Sequence, residues 1–564
     1  MKRLAVATLI LLLLVLVAAS GVLVRILPLP LPIIQIGLGI LLAWPIDGLR
    51  VELEPELFLL VFVPPLLFID GLLLPKREFA ELAPRIFGLA FGLVFFTVVV
   101  FGYALHWLLP QVPLPVAFAL AAVLSPTDAV AVSSIVGRDL VPAHIRHILE
   151  GESLLNDASG LVVLRFAVAA ALTGQFSIGE TAMTFVLVAL GGALAGFAML
   201  WATAKALRIV ARLGDIRPEV EVVILILLPF AAYLLAEQFH FSGILAAVTA
   251  GLYVGRSGLF GSLSIPARMQ NMALIEVLSF TFNGVIFLLL GLQLPTIIRN
   301  VPPDLSLYGT IWEPVLAVIT LTLILLAIRF AWIVFGSAVR GAVDRWRGRA
   351  SLRLTTRLKV VMTLAGVRGA ITLAGILSLP LVISENGPPF PARDLVVFIA
   401  AGVIICSLVL ASITLPVVAR GIPLDDEDMN ANEERLARQV AAEAAIARIE
   451  EMVDEAHADP ALHEARLAVS QRLIPNYRQR LGAGDADDPA AVDMQPVLQS
   501  MRDAALDAER AALVDLLRAR KINDTTMRAV MGEVMLGLAL SARKQANSPA
   551  RAKKPAAKKA GAKR

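Results

Sequence analysis

Two short segments combine carboxylates with hydroxyl, amide and proline residues inside long apolar runs. The first, AAVLSPTDAVAVSS, places Thr127 and Asp128 directly after a proline in the middle of its run. Proline has no amide hydrogen and disfavours helix at the residue before it, so backbone carbonyl groups here are freed from helical hydrogen bonds. Carbonyl and carboxylate oxygens are the ligands that a small dehydrated cation requires. The segment therefore predicts a cation site beside a broken helix, although Asp128 alone could cap a half-helix or pair with a structural arginine.

The second segment, HILEGESLLNDASGLVVLRFA, predicts a helix with one polar stripe. At about 100° per residue, Ser153, Asn156, Asp157 and Gly160 fall within an arc of about 100°. Asn156 either orients Asp157 or bonds a neighbouring helix. An ionisable side chain at the bilayer centre costs about 2.5–3.5 kcal/mol, so Asp157 and Asp128 together indicate a functional site.

Two further carboxylates need partners or roles. Glu152 lies about 140° from Asp157 around the same helix, so these two should not share a ligand. The segment LAGVRGAITLAG places Arg368 in the middle of another apolar run, and we predict a Glu152–Arg368 ion pair that fixes two helices. Asp70 follows FVPPLLFI and is either a gate residue or the end of its span.

The composition excludes a water-soluble enzyme. Of the 564 residues, 58% are hydrophobic and 17% are charged, against about 45–50% and 25% in soluble domains. Residues 1–420 hold 51 charged residues and residues 421–564 hold 45, which predicts a membrane domain followed by a soluble region. The single cysteine, Cys406, excludes disulfides and Cys-rich metal patterns. The net charge of +4 does not indicate nucleic-acid binding, and we predict no cofactor.

A transmembrane helix needs about 20 mostly apolar residues. Thirteen runs approach this length, near residues 4–24, 33–49, 55–74, 86–109, 113–136, 147–172, 180–204, 219–238, 241–256, 273–298, 311–335, 358–383 and 395–419. Loops on one side of these spans carry 19 Lys and Arg residues, and loops on the other side carry 3. The positive-inside rule therefore places the C-terminal region in the cytoplasm. The first span resembles a cleaved signal peptide, but we favour a retained span.

The spans also divide into two halves. If spans 1–6 and 8–13 correspond, each span matches the one seven places later, so that span 5 matches span 12. Because seven is odd, corresponding spans cross the membrane in opposite directions, and the second half is inverted. Both are interrupted at their centres, by SPTD and by GVRG, and matching broken helices in inverted halves indicate a transport site at the midplane. The sequence thus predicts an all-α polytopic membrane protein of about 13 transmembrane helices in two inverted repeats, plus a cytoplasmic helical C-terminal region.

Three regions follow from this pattern: a transmembrane domain over residues 1–420, a cytoplasmic helical region over 421–545 and a disordered basic tail over 546–564. The last stretch, SPARAKKPAAKKAGAKR, has no acidic residue. It either contacts anionic membrane lipid or is simply solvated.

Four motifs then support a family resemblance. SPTDAVAV, GESLLNDASG, FNGVIFLLLGLQLP at 282–295 and GVRGAITLA at 366–374 occur in this order. Together they resemble the monovalent cation/proton antiporter-1 family, the NhaP-type bacterial sodium/proton antiporters related to animal Na+/H+ exchangers. The resemblance implies thirteen helices, a homodimer in the inner cell membrane, and a core domain that moves against a dimerisation domain.

The same resemblance implies residue roles. Asp157 would carry the cation and the proton, while Asp128, the Thr127 carbonyl and Ser153 would complete the cation shell. Asn156 is included among the predicted cation- and proton-binding residues, and it stands where asparagine accompanies electroneutral one-for-one exchange in the family.

The resemblance also bears on Glu152 and Asp70. Glu152 would pair with Arg368. Many relatives have an acidic residue directly after PPLLF, but Ile69 stands there and Asp70 follows, so the gating role of Asp70 stays open.

The predicted function is secondary active antiport of Na+, or also Li+, against H+. Burial and mutual repulsion disfavour two ionised carboxylates, so a proton and a cation compete for one site. K+/H+ antiport is the first alternative. An intramembrane aspartyl protease also uses two aspartates on neighbouring spans, but a GxGD motif is expected there rather than LLNDASG. A receptor without transport is a further alternative.

Overall fold

The computed structural model describes residues 2–44, 55–136, 140–173, 178–213, 216–257, 259, 263–299, 312–346, 354–382, 388–422, 426–455, 460–480 and 495–534. The predicted basic tail, 546–564, lies outside these residues. The chain forms two compact units, residues 1–425 and residues 426–564.

The first unit is built from helices. In chain order they are α1 (Lys2–Leu23), α2 (Leu31–Ala43), α3 (Pro55–Leu73), α4 (Lys76–Phe87), a π-helix (Gly88–Leu93), α5 (Val94–Leu108), α6 (Leu114–Leu124), α7 (Ala129–Val136), α8 (Ala143–Thr173), α9 (Ile178–Leu213), α10 (Pro218–Gln238), α11 (Gly243–Tyr253), α12 (Ile265–Arg299), α13 (Trp312–Trp346), α14 (Thr356–Leu364), α15 (Ala370–Leu377) and α16 (Arg393–Ala419).

Within the described residues, seven helical segments are long and apolar enough to cross a membrane. They are Lys76–Leu108, Ala143–Leu172, Met183–Arg212, Pro218–Gln238, Ile265–Arg299, Pro314–Trp346 and Arg393–Ala419. The pair α6 and α7, bent by 46°, adds an eighth if it forms one span, and α1, α2, α3 and α11 contain shorter apolar helices. The all-helical membrane fold is confirmed, while the count of thirteen spans stays a prediction.

Helical structure stops at both predicted interruptions. Helix α6 ends at Leu124 and α7 begins at Ala129, because Pro126 cannot donate a backbone hydrogen bond. Helix α14 ends at Leu364 and α15 begins after Gly369. The two breaks touch, since the Asp128 backbone N–H donates to the Val367 carbonyl oxygen at 2.8 Å.

Glycines allow two helices, α2 and α12, to approach closely. A Cβ atom at Gly39 of α2 would overlap the Leu288 carbonyl oxygen of α12, and one at Gly291 would overlap the Ile36 carbonyl oxygen. Small residues of this kind let membrane helices pack backbone to backbone. Helices α2 and α12 therefore form a tightly packed pair.

The second unit contains α17 (Asp426–Asp454), α18 (Pro460–Arg480), α19 (Gln495–Arg518) and a helix over 524–534. Its core is formed by apolar residues of α17, α18 and α19, including Ala445, Ile449, Val469, Leu473 and Met501. An Arg438 guanidinium bonds both Glu434 and Glu533, which joins the 524–534 helix to α17. This unit is a small helical bundle.

Candidate functional site

A small cavity of about 40 Å³ lies beside the helix breaks. This volume holds a few water molecules or one ion with part of its hydration shell. The polar residues that line it are Asp70, Thr127, Asp128, Ser153, Asp157, Asn283 and Thr372. Three carboxylates from three separate helical segments therefore face one small space.

Asp128 caps a helix and also lines this cavity. Its Oδ1 accepts hydrogen bonds from the backbone N–H groups of Val130 (2.8 Å) and Ala131 (3.0 Å), which caps the N-terminus of α7. A Cβ atom at Gly369 would overlap Asp128 Oδ2, so this second oxygen lies against the start of α15. Asp128 therefore caps α7 with one oxygen and lines the cavity as well.

Asp157 lies midway along α8 and is 8% exposed. Among the described residues, none donates a hydrogen bond to its carboxylate. One turn earlier, the Ser153 hydroxyl oxygen accepts a hydrogen bond from the Ala129 N–H at 3.2 Å. This contact attaches α8 to the first residue of α7 and holds Ser153 at the cavity wall.

Thr127 and Asn156 connect the cavity to a buried network behind it. The Thr127 hydroxyl donates to Glu152 Oε1 at 3.2 Å and accepts from Asn156 Nδ2 at 3.1 Å. Asn156 is 1% exposed, and its Oδ1 has no hydrogen-bond partner among the described residues. Asn156 does not line the cavity; it bonds the broken segment, which is one of the two roles considered above.

The predicted Glu152–Arg368 ion pair is wrong. Glu152 pairs instead with Arg329 of α13, whose Nη2 lies 2.9 Å from Glu152 Oε2 and whose Nη1 bonds Oε1. Both residues are 1% exposed, and Arg329 Nε also donates to the Met362 carbonyl at 2.9 Å. Arg329 lies in the middle of α13, which places it deep inside the protein.

Arg368 satisfies carbonyl groups left free by the two breaks. Its Nε donates to the Leu124 carbonyl at 2.8 Å, and its Nη1 donates to the Gly366 carbonyl. Its backbone N–H bonds Ser407 Oγ of α16 at 3.2 Å. The helix C-terminus carries partial negative charge, so a cation beside the last residue of α6 offsets both that charge and the missing hydrogen bonds.

Three other polar residues line the cavity. Asp70, near the end of α3, lines the cavity together with Asp128 and Asp157. Asn283 and Thr372 were missed as site residues. Asn283 lies within FNGVIFLLLGLQLP and Thr372 lies within GVRGAITLA. A polar residue inside each of these apolar motifs was the available signal.

Comparison with known proteins gives a consistent result. The family model described as sodium/hydrogen exchanger, transmembrane, matches residues 10–421. A Na+/H+ exchanger of Escherichia coli, named YjcE and described as uncharacterized, is 43% identical over 511 residues, which cover 89% of this chain and 92% of that protein. A sodium, potassium, lithium and rubidium/H+ antiporter of Bacillus pumilus is 38% identical over 497 residues, which cover 87% of this chain and 71% of that protein.

Among solved structures, the sodium proton antiporter MjNhaP1 of Methanocaldococcus jannaschii matches with a TM-score of 0.57 at 18% identity. The match covers 75% of this chain and 99% of that one. At this identity the likeness concerns the fold.

Proposed function

The chain belongs to the sodium/hydrogen exchanger family, and from this premise we propose that it exchanges Na+ for H+ at a site formed by Asp157 and Asp128. The observation that carries the proposal is that Asp70, Asp128 and Asp157 all line one cavity of about 40 Å³. The family membership favours transport over the aspartyl protease and receptor alternatives.

The cation is the substrate, and its ligands would be oxygens. Asp157 and Asp128 Oδ2 supply charge, and the Ser153 hydroxyl supplies a neutral oxygen. The Thr127 hydroxyl is already bonded to Glu152 and Asn156, so its backbone carbonyl is the oxygen left for the cation. A hard alkali cation prefers this set of oxygens to nitrogen or sulfur.

Exchange follows from competition. A proton and a cation neutralise the same carboxylates, so the site holds one or the other. A bare carboxylate is costly to move through a low-dielectric barrier, and only a loaded site would therefore cross between the two membrane faces. Under this proposal Asp70 lies at the edge of the path as a gate carboxylate, whereas Asn156, Glu152 and Arg329 hold the broken helix in position.

A broader alkali-ion range is the second candidate. The relative from Bacillus pumilus is named for sodium, potassium, lithium and rubidium. The same oxygen set accepts K+ or Li+ if the cavity adapts by small side-chain movements.

The setting in the cell is also proposed. The chain would span the cell membrane as a homodimer, in contact with membrane lipid, with residues 421–564 in the cytoplasm. The support is the excess of Lys and Arg in the loops on that side.

Everted membrane vesicles provide the test. A pH-sensitive dye is quenched by respiration, and Na+, Li+ or K+ is then added in turn to vesicles with and without the protein. If Na+ causes dequenching only in vesicles that contain the protein, the result supports Na+/H+ antiport. If K+ also causes dequenching in these vesicles, K+ is a further substrate. Identical traces with and without the protein for every ion would refute the proposal.

A further inference from the structure

We infer that Asn283 of α12 supplies a neutral oxygen to the cation and so sets the affinity of the site for it. The inference rests on the proposed antiport and adds a further ligand to the site. Asn283 lines the cavity that Asp128 and Asp157 also line.

The hydrogen bonds of Asn283 determine which atom is available. Its Nδ2 donates to the Ser279 carbonyl oxygen at 2.9 Å and lies 3.4 Å from Ser279 Oγ. The amide nitrogen is thus held against the preceding turn of its own helix. Among the described residues, no group donates to Asn283 Oδ1. The carbonyl oxygen is therefore the polar atom left to face the cavity.

The position of α12 makes this oxygen distinct from the other ligands. The three cavity-lining residues of α12 are Asn283, Ile286 and Phe287, so Asn283 alone among them is polar. Helix α12 packs chiefly against α2, through the Gly39 and Gly291 contacts, whereas α8 packs chiefly against α6 and α4. The carboxylates and the amide thus belong to differently packed groups of helices and face one ion from different walls.

An amide oxygen differs chemically from the carboxylates because it binds a cation but does not take up a proton near neutral pH. Its loss should weaken cation binding by the same factor at every pH. A lost ligand to a charged group corresponds to about a tenfold change in affinity. Proton binding at Asp157 should be unchanged.

The experiment measures the KM for Na+ and the maximal rate of exchange in proteoliposomes. Asn283→Leu keeps the side-chain size and removes both polar atoms, and Asn283→Ala removes the oxygen without adding bulk. We expect both to raise the KM for Na+ about tenfold with a maximal rate within threefold of wild type. Asn283→Asp keeps an oxygen at the same position and should keep the KM at or below that of wild type.

Ser279→Ala is the matched control on the same helix. It removes a hydroxyl that does not line the cavity and leaves the backbone acceptor of Asn283 in place, so its KM should stay within twofold of wild type. An unchanged KM in folded Asn283→Leu and Asn283→Ala would overturn the inference. So would an equal increase in Ser279→Ala or in Asn283→Asp, since the effect would then be a distortion of α12.

These results are separable from the test of antiport itself. If wild-type protein shows no cation-dependent proton movement, the proposed function fails. If the wild-type protein exchanges Na+ for H+ and the Asn283 variants have the same KM as wild type, only the ligand assignment fails.

Discussion

Arg329 on α13 and Glu152 on α8 form an ion pair that the protein encloses almost completely. The Nη2 to Oε2 distance is 2.9 Å, and each residue is 1% exposed. Glu152 also accepts the Thr127 hydroxyl. The pair thereby connects α13, the helix of Asp157 and the broken segment that precedes α7.

Removing one partner of this pair should be strongly destabilising. Arg329→Met or Glu152→Gln leaves a buried unpaired charge, which costs about 3–5 kcal/mol, whereas the double variant leaves none. We expect a large drop in the melting temperature in detergent for each single variant and a partial recovery in the double variant.

Arg368→Gln, alone and combined with Glu152→Gln, gives a second double-mutant cycle for comparison. The coupling between Glu152 and Arg329 should exceed the coupling between Glu152 and Arg368 several-fold, because Arg368 bonds carbonyl groups. A coupling between Glu152 and Arg368 as large as that between Glu152 and Arg329 would contradict this expectation.

The two broken helices meet closely enough for one methyl group to matter. A Cβ atom at Gly369 would overlap Asp128 Oδ2, so Gly369→Ala should displace that carboxylate. We expect at least a tenfold lower rate of Na+/H+ exchange, with the protein still present in the membrane fraction. Gly336→Ala is the control, since a Cβ atom there meets nothing within 4 Å. Equal rates in the two variants would show that this contact is unimportant.

Competition predicts a defined pH dependence. Where the site is mostly protonated, each unit of falling pH should raise the KM for Na+ about tenfold, because one proton must leave for one cation to bind. The maximal rate at saturating Na+ should change far less, since a high Na+ concentration displaces the proton. Initial rates over a grid of pH and Na+ concentration check this expectation. A constant KM with a falling maximal rate would indicate a separate regulatory proton.

One-for-one exchange predicts the absence of net charge movement. Asn156, which precedes Asp157, carries no charge and is bonded to Thr127, so it adds no further titrating group to the carboxylates of the cavity. Proteoliposomes on a solid-supported electrode should give no sustained current on a Na+ jump, while a pH dye in the same liposomes reports exchange. A current that scales with the exchange rate would require more than one proton for each cation.

Much of the fold and site could be predicted from the sequence. A helix that crosses a membrane needs a long apolar run, and Lys and Arg concentrate in the loops on one side. The breaks at SPTD and GVRG were predictable because proline and clustered glycine interrupt helices. The placement of Asp128, Asp157, Ser153 and Thr127 around one cavity followed from the motifs that contain them.

The partners of buried charges were less predictable. Hydropathy shows that Arg329 and Arg368 are both in apolar runs, but it does not show which face of each helix meets Glu152. Arg329 faces Glu152, and Arg368 turns toward the Leu124 and Gly366 carbonyls. Asn283 was missed for the same reason, since its place at the cavity depends on how α12 packs.

The central claim is that the carboxylate of Asp157 carries the cation and the proton in turn. The most direct measurement is Na+-driven proton movement in proteoliposomes that contain Asp157→Asn, with Asp394→Asn as the control for the same chemical change at an exposed residue. We expect no exchange in Asp157→Asn, a near wild-type rate in Asp394→Asn, and normal folding of both by size-exclusion chromatography. Sustained Na+/H+ exchange by the folded Asp157→Asn variant would contradict the account.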